Sequence, residues 1–389
     1  MTLSRIVFIF FLFTQVSLSG QVSEEIRPIQ ERRVKIQNLP EAVGDTIDLP
    51  IIDEFTGKSP FPNPKFWADN KVFINSTYAK NPISIGVATF DGLNEEGFPY
   101  HRSDNSSDTL ADALTSRYLN LAGTNNVFLS FYFQSGGLGE LPGQDDSLVV
   151  EFWSPQDTSW EQVWAKKGMG STNFIPEIIA IDSAKWLLDG FQFRFGAYGA
   201  RNGAFDIWNL DYVYLERNRS GTDSIVQDPA FHKPLPSFVR NYQNIPWFHF
   251  DINEFRDTLV TGYRRNGPTP SPPWTLTKNK FTLWKNGVVD FTGSSFLNSS
   301  DPHNVNLTNP LDIDSYDPSP ILDSFNLRID AILPGDKVNP FTANDTLSGI
   351  QPFYNYFSYD DGSAERAYGV KNVFGARMAY EFQPLEPDT

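Results

Sequence analysis

Phe191-Gln192-Phe193-Arg194-Phe195 alternates aromatic and polar side chains without a break. A period of two belongs to a strand with one buried face and one wet face. The same character extends outward in both directions. Val127-Phe128-Leu129-Ser130-Phe131-Tyr132-Phe133, Ser147-Leu148-Val149-Val150-Glu151-Phe152-Trp153 and Glu161-Gln162-Val163-Trp164 read as strands upstream. Trp208-Asn209-Leu210-Asp211-Tyr212-Val213-Tyr214-Leu215 reads as the last strand of the block. Turn signals stand between them at Gly136-Gly137, Pro142-Gly143, Ser154-Pro155 and Asn202-Gly203. Strands at this spacing, with no helical period between them, predict a two-sheet sandwich.

The block covers residues 47–217. That length suits a lectin-like (concanavalin/MAM-type) jelly roll better than a small immunoglobulin domain. A polar and then proline-bearing linker is expected at 218–237, with Pro229, Pro234 and Pro236. A second β block is expected at 238–345. Its strands fall near Trp247-Phe248-His249-Phe250, Leu259-Val260-Thr261-Gly262-Tyr263, Phe281-Thr282-Leu283-Trp284 and Phe325-Asn326-Leu327-Arg328-Ile329-Asp330-Ala331-Ile332. Asn286-Gly287, between apolar runs, signals a hairpin into Val288-Val289-Asp290-Phe291. This block has the size of an immunoglobulin/fibronectin-like sandwich. Residues 353–389 read as the start of a further β unit, too short to fold alone without disulfides or metal. Either that segment docks on the second sandwich or the chain is a truncated form of a longer one; truncation is the preferred expectation.

Residues 1–20 have the plan of a secretory signal peptide. Arg5 supplies the charge, Ile6-Val7-Phe8-Ile9-Phe10-Phe11-Leu12-Phe13 the apolar core, and Ser17-Leu18-Ser19-Gly20 the small residues of a cleavage site. The apolar run is too short to span a bilayer. A polar N-terminal extension follows at 21–46. The chain has no cysteine, so an exported product would rely on its core rather than on disulfides or a zinc-thiolate site. Aromatics are 15% of residues, and 28 prolines and 27 glycines argue against long helices. A formal charge of −16 excludes nucleic acid and anionic membranes as natural partners. No second long apolar run is present, so no transmembrane segment is expected after signal removal.

Several segments taken together carry a family likeness. They are Phe66-Trp67-Ala68-Asp69-Asn70-Lys71-Val72-Phe73-Ile74-Asn75 running on to Asn81-Pro82-Ile83-Ser84-Ile85-Gly86-Val87-Ala88-Thr89-Phe90-Asp91-Gly92-Leu93, then Phe133-Gln134-Ser135-Gly136-Gly137-Leu138-Gly139, and Tyr359-Asp360-Asp361-Gly362-Ser363-Ala364-Glu365. The chain resembles large exported multidomain β-sandwich proteins of Bacteroidetes associated with the type IX secretion system. The resemblance implies an outer-membrane secretion machinery as partner and an extracellular or outer-membrane surface location, with the periplasm as alternative. Members of that group end in a sorting domain, and none is visible here. The resemblance assigns no biochemical activity.

No catalytic signature stands out. Gly-x-Ser-x-Gly, His-Glu-x-x-His and a phosphate loop are all missing, and His101, His232, His249 and His303 lack metal-ligand spacing. The expectation is therefore a non-enzymatic protein. Lectin-like jelly rolls often hold a structural calcium where first and last strands meet, which makes Asp53, Glu54, Asp91 and Asp211 candidate oxygen ligands. Aromatic faces stack on the apolar faces of sugars, and Trp153 and Trp160 are candidate ligand-binding residues. Trp164 and Trp208 sit in apolar strand surroundings and are expected in the core. The leading functional expectation is a secreted or cell-surface adhesion or surface-assembly protein. Its alternatives are a carbohydrate-binding module and an accessory part of a larger secreted hydrolase. The expected partner is accordingly a glycan or a cell-surface protein.

Overall fold

The computed structural model describes residues 23–32, 46–57, 59–103, 109–267, 279–285, 288–295, 304–308, 323–333, 340–360, 363–371, 375, 377 and 379–383. The signal expected at 1–20 lies outside them, as does the Asn286-Gly287 turn. The described chain is all-β apart from single turns of 3-10 helix. Among the described residues no helix is long and apolar enough to cross a membrane.

After β1 (Ser23–Arg27) come the strands of the first sandwich: β2 (Ile51–Asp53), β3 (Phe73–Asn75), β4 (Val87–Phe90), β5 (Leu110–Thr115), β6 (Leu119–Asn120), β7 (Val127–Ser135), β8 (Ser147–Ser154), β9 (Ser159–Lys167), β10 (Ile175–Ile181), β11 (Asp189–Tyr198) and β12 (Trp208–Glu216). One sheet runs β10-β7-β12-β4-β3, with β2 also on β12. The other runs β5-β11-β8-β9, with β6 also on β11. The pairings are antiparallel, and from β9 to β12 successive strands alternate between the sheets, while β3–β4 and β8–β9 pair within one, a jelly-roll sandwich. The alternation of β11 does what its period requires. Phe191, Phe193 and Phe195 are fully buried in the core, and Gln192 and Arg194 turn to the opposite face. Edge-to-face contacts tie the core together: Phe131–Phe195 at 4.9 Å, Phe193–Phe195 at 5.9 Å and Trp67–Phe193 at 5.7 Å.

The outer face of the first sheet is covered. Asn75 donates to Thr89 (2.7 Å), Thr89 to Asn209 (2.7 Å) and Asn209 to Gln134 (3.3 Å), a polar ladder across four strands. Gln134 then holds the loop above it through the backbone of Lys80 and Thr172. Gly137, at φ +69°, lies so close to the Tyr78 carbonyl and Asn209 that no Cβ fits.

The second sandwich uses β13 (Asp228–Phe231), β14 (Thr258–Asn266), β15 (Asn279–Lys285), β16 (Val288–Ser295), β17 (Asn304–Thr308), β18 (Phe325–Ile332) and β19 (Thr346–Phe353). Its sheets run β13-β14-β17 and β16-β15-β18-β19. A three-plus-four division of seven antiparallel strands is an immunoglobulin/fibronectin-like arrangement. The expected β15–β16 hairpin pairing is present. β13 falls inside the segment read as linker, and β19 extends the unit to Phe353. One strand expectation fails. Trp247-Phe248-His249 is a 3-10 turn, not a strand. Pro246, at φ −56°, pre-sets the turn, and Trp247 and Phe250, three apart, both face the core while Phe248 stays exposed. Four consecutive rings hid that three-residue spacing.

The described segments that flank the two sandwiches pack back on them. β20 (Ala367–Lys371) pairs with β1 along its length, so part of the segment read as an N-terminal extension is a strand. Ile29 is buried with Leu93 and Ala204, and Arg32 forms a buried ion pair with Asp91 and lies 3.9 Å over the Phe73 ring. Arg366 donates to the carbonyls of Leu138 (2.9 Å) and Gly139 (2.6 Å), and Tyr242 stacks on Tyr359 at 4.8 Å. The described part of 353–389 therefore packs against both sandwiches.

Phe195 touches rings from both sheets. Phe195→Ala is expected to cost about 3–5 kcal/mol through lost burial and the cavity left behind. Chemical denaturation followed by tryptophan fluorescence measures it.

Candidate functional site

The second sheet of the first sandwich carries the candidate site on its outer face. Strand period and register place its rows. Because Leu148, Val150 and Phe152 of β8 enter the core, Val149, Glu151 and Trp153 face outward. Trp153 pairs across the strands with Trp160 of β9, ring centroids 5.6 Å apart and planes 58° to each other. Both rings are half-buried. In the next row Arg194 lies between Thr115 and Glu151, and Gln162 faces Glu151. The following row, Ala113, Gly196, Val149 and Ala165, carries short side chains, so the face is low there. Tyr198, Ser147 and Lys167 form the row beyond.

Arg194 orders this surface. Its Nε and Nη2 donate to Glu151 Oε2 at 2.8 and 2.6 Å. Its guanidinium carbon sits 4.4 Å over the Trp160 ring. One face of Trp160 is thereby filled, which leaves its other face and the Trp153 ring as apolar surface beside the polar groups of Glu151 and Gln162. Glu161, between Trp160 and Gln162, shares the row of core-facing Phe152 and so lies on the other side of the sheet, where Lys185 binds it at 2.5 Å. On the tryptophan face Arg194 and Glu151 are paired with each other. An apolar step flanked by fixed donors and acceptors can hold a flat, hydroxyl-bearing ligand by stacking and hydrogen bonding.

Both tryptophans singled out from the sequence lie in this patch. Trp164 and Trp208 are core: Trp164 packs on Phe131 (5.3 Å) and Phe133 (5.2 Å), and Trp208 is fully buried. Sequence reading missed Arg194, Glu151 and Gln162 as site residues. The alternation of β11 put Arg194 on the wet face, but its neighbours follow from register, which includes a bulge at Val150/Glu151.

The four acids read as candidate calcium ligands do not assemble. Asp91 is turned away to Arg32 of the N-terminal segment, a pairing no local pattern announces. Asp53 accepts the Trp67 indole N–H (2.6 Å) and the Phe55 amide (2.9 Å), and burial pushes its carboxyl up to about 6. Asp211 accepts the Ser84 hydroxyl (2.9 Å) and the Tyr212 amide (2.7 Å), and burial raises it well above the usual range. Glu54 accepts the Asn344 amide at 2.8 Å, and burial followed by the charge of Asp228 pushes it up to about 8. Among the described residues no three acidic or imidazole groups converge to hold a metal ion. These oxygens are engaged by protein donors instead.

No family model matches the chain, and no curated protein matches it. Among solved structures it is similar to the glycoside hydrolase domain of Endo-D from Streptococcus pneumoniae R6, at 13% identity and TM-score 0.26, over 74% of this chain and 37% of that one. It is similar to the N-terminal tandem CBM22 domains of Paenibacillus barcinonensis Xyn10C, at 12% identity and TM-score 0.28, over 81% and 97% of the two chains. A third is the β-glucuronidase of Parabacteroides merdae, at 10% identity and TM-score 0.22, over 64% and 29%. The chain thus spans little more than a third of the first of these. At such TM-scores the superpositions add nothing to the functional argument, which rests on the platform itself.

Arg194→Ala removes the cover of Trp160 and unpairs Glu151. A stability loss of about 1 kcal/mol is expected, from one cation–π contact and one ion pair whose side chains are 20% and 12% exposed. Tryptophan emission should shift to the red as Trp160 gains water, which steady-state fluorescence reads directly.

Proposed function

We propose that this chain is an exported, non-enzymatic glycan-binding protein whose first sandwich holds a neutral polysaccharide against Trp153 and Trp160. The observation that carries the reading is the cross-strand tryptophan pair on the open face of the second sheet. The corresponding face of the first sheet is covered by its own loop and the second sandwich, so the sandwich has one broad face left for a ligand. Neutral sugars suit this face because Arg194 and Glu151 beside the tryptophans are already paired and the chain carries a net −16. An anionic polymer would meet repulsion at long range, and Arg194 beside the tryptophan pair is already committed to Glu151. Binding without turnover fits Glu151, the carboxylate beside the tryptophans, being committed to Arg194. Export rests on the signal plan of residues 1–20, and the role that follows is attachment of a cell surface to glycan.

A surface-assembly role with a protein partner has one observation in its favour. Phe248, Tyr354 and Tyr356, on the Trp247 turn of the second sandwich and the segment paired with it, are 54%, 40% and 52% exposed. It is the second reading because the tryptophan pair, with Arg194 over Trp160 and bonded to Glu151, favours the glycan.

Affinity electrophoresis against xylan, glucomannan, β-glucan and polygalacturonate separates the readings. Retardation by a neutral polysaccharide is expected, and Trp153→Ala and Trp160→Ala should each weaken it by roughly tenfold, equivalent to about 1.4 kcal/mol. Absence of retardation by every neutral polymer, with the protein folded, would overturn the glycan reading.

A further inference from the structure

Where the two sandwiches meet, a buried set of carboxyl groups is shared between them. Glu54 directly follows β2 on the first side. Asp228 begins β13, and Asn344 and Asp345 form the 3-10 turn before β19, on the second side. Asn344 donates its amide N–H to Glu54 (2.8 Å) and its side-chain Nδ2 to Asp228 (2.8 Å) and the Tyr212 hydroxyl (2.7 Å). Tyr212 donates to Asp228 at 2.6 Å. Asn266 of β14 donates to Tyr212 (3.2 Å) and to the Ile83 carbonyl (2.9 Å). Glu54 is 3%, Asp228 1% and Asn344 0% exposed. Asn344 Oδ1 and Asp345 Oδ1 are buried there with no hydrogen-bond partner.

Among the described residues, the charges that act most strongly on Glu54 are acidic. Asp53 and Asp211 stand behind Glu54 on the first sandwich, and Asp228 and Asp345 face it from the second. Of the groups on the elements packed here, Arg264 of β14 reaches out to the carbonyls of Asn81 and Pro82. His232, after β13, packs on Gly262, and Lys233 is exposed. Among the described residues no cation pairs with Glu54, Asp211 or Asp345. Two clefts, about 540 and 590 Å³, open beside the junction and share Phe55, Thr56 and Ala343; Glu54 lines the larger.

We propose that this junction is a proton-dependent latch: the second sandwich stays docked while Glu54 carries a proton, and separates from the first when Glu54 ionises against Asp228 and Asp345. Its physical basis is that an ionised Glu54 would be a buried charge facing like charges, whereas the open form returns it to water. The sign follows from the carboxyls themselves. Glu54 is pushed up to about 8 by burial and then by Asp228, and Asp345 up to about 7 by burial and then by Asp228. The docked form thus holds protons that the open form releases. Docking is fully stabilised below the ordinary carboxylate range and is lost as pH rises through about 8. Each sandwich keeps its own core throughout.

Small-angle scattering of the full chain between pH 5 and pH 9, with circular dichroism alongside, tests the latch. The expected result is a rise in radius of gyration centred near pH 8 with an unchanged β spectrum. Glu54→Gln keeps an acceptor for the Asn344 amide but cannot ionise, and should stay compact to pH 9. Should that variant fail to fold, Asp345→Asn removes one charge facing Glu54 and should reduce the rise. A wild-type profile independent of pH, or a full rise in either folded variant, would overturn the proposal. So would an opening at high pH that calcium alone reverses, since a metal ion would then replace the proton.

Discussion

Tyr212 adopts a left-handed backbone, at φ +48°, in the middle of β12. For a bulky aromatic this is a costly conformation, of order 1–3 kcal/mol. It sits where the register of β12 against β7 shifts between Asp211 and Tyr214. Before the bulge β12 pairs with β4, and after it with β2. The extra residue thus lets one strand change neighbours. It also aims the Tyr212 ring out of the sandwich, against Phe341 at 5.3 Å and Tyr132 at 6.0 Å, with its hydroxyl on Asp228. Contacts to β13, β14 and the turn before β19 follow from that one conformation.

Docking at Tyr212 decides which surfaces remain. The first sheet of the jelly roll is sealed by its polar ladder, its loop and the second sandwich. The second sheet keeps an open face, and there the tryptophan pair and Arg194 lie. A half-buried aromatic pair held by a cation–π contact and an ion pair is pre-ordered, which lowers the entropy lost when a ligand binds. The platform and the junction therefore sit on opposite faces of one sandwich and draw on different sets of residues.

A chain with net charge −16 could have kept its acids in water. Instead Glu54, Asp112 and Asp211 are buried in the first sandwich, and Asp53 is half-buried there. Three of them are satisfied differently: Asp53 by Trp67, Asp112 by the Tyr100 hydroxyl and the Gly92 amide, Asp211 by Ser84 and its own neighbour's amide. Glu54 alone of the four reaches a backbone amide of the other sandwich. That asymmetry is why ionisation is consequential at Glu54 and local at the rest.

The β class, the two sandwich blocks and the inward faces of their strands were legible in the sequence. They depend on period-two alternation and turn residues, which are local properties: Phe191, Phe193 and Phe195 could only share a face. Trp160 was legible as a surface aromatic because it follows the turn from Pro155 to Ser159, and Trp153 only as a candidate. Where local pattern was uniform it misled, as in the four-ring run from Trp247 that closes into a turn. What the sequence could not show is any partner fixed by register or by long-range return of the chain. Arg194 lies over Trp160, Arg32 reaches Asp91, β1 pairs with β20, and Asn344 meets Glu54, each across a long stretch of chain. Such contacts are set by how the sheets stack and where a single bulge turns a strand, so tertiary structure alone decided which acids are buried together and which face stays open.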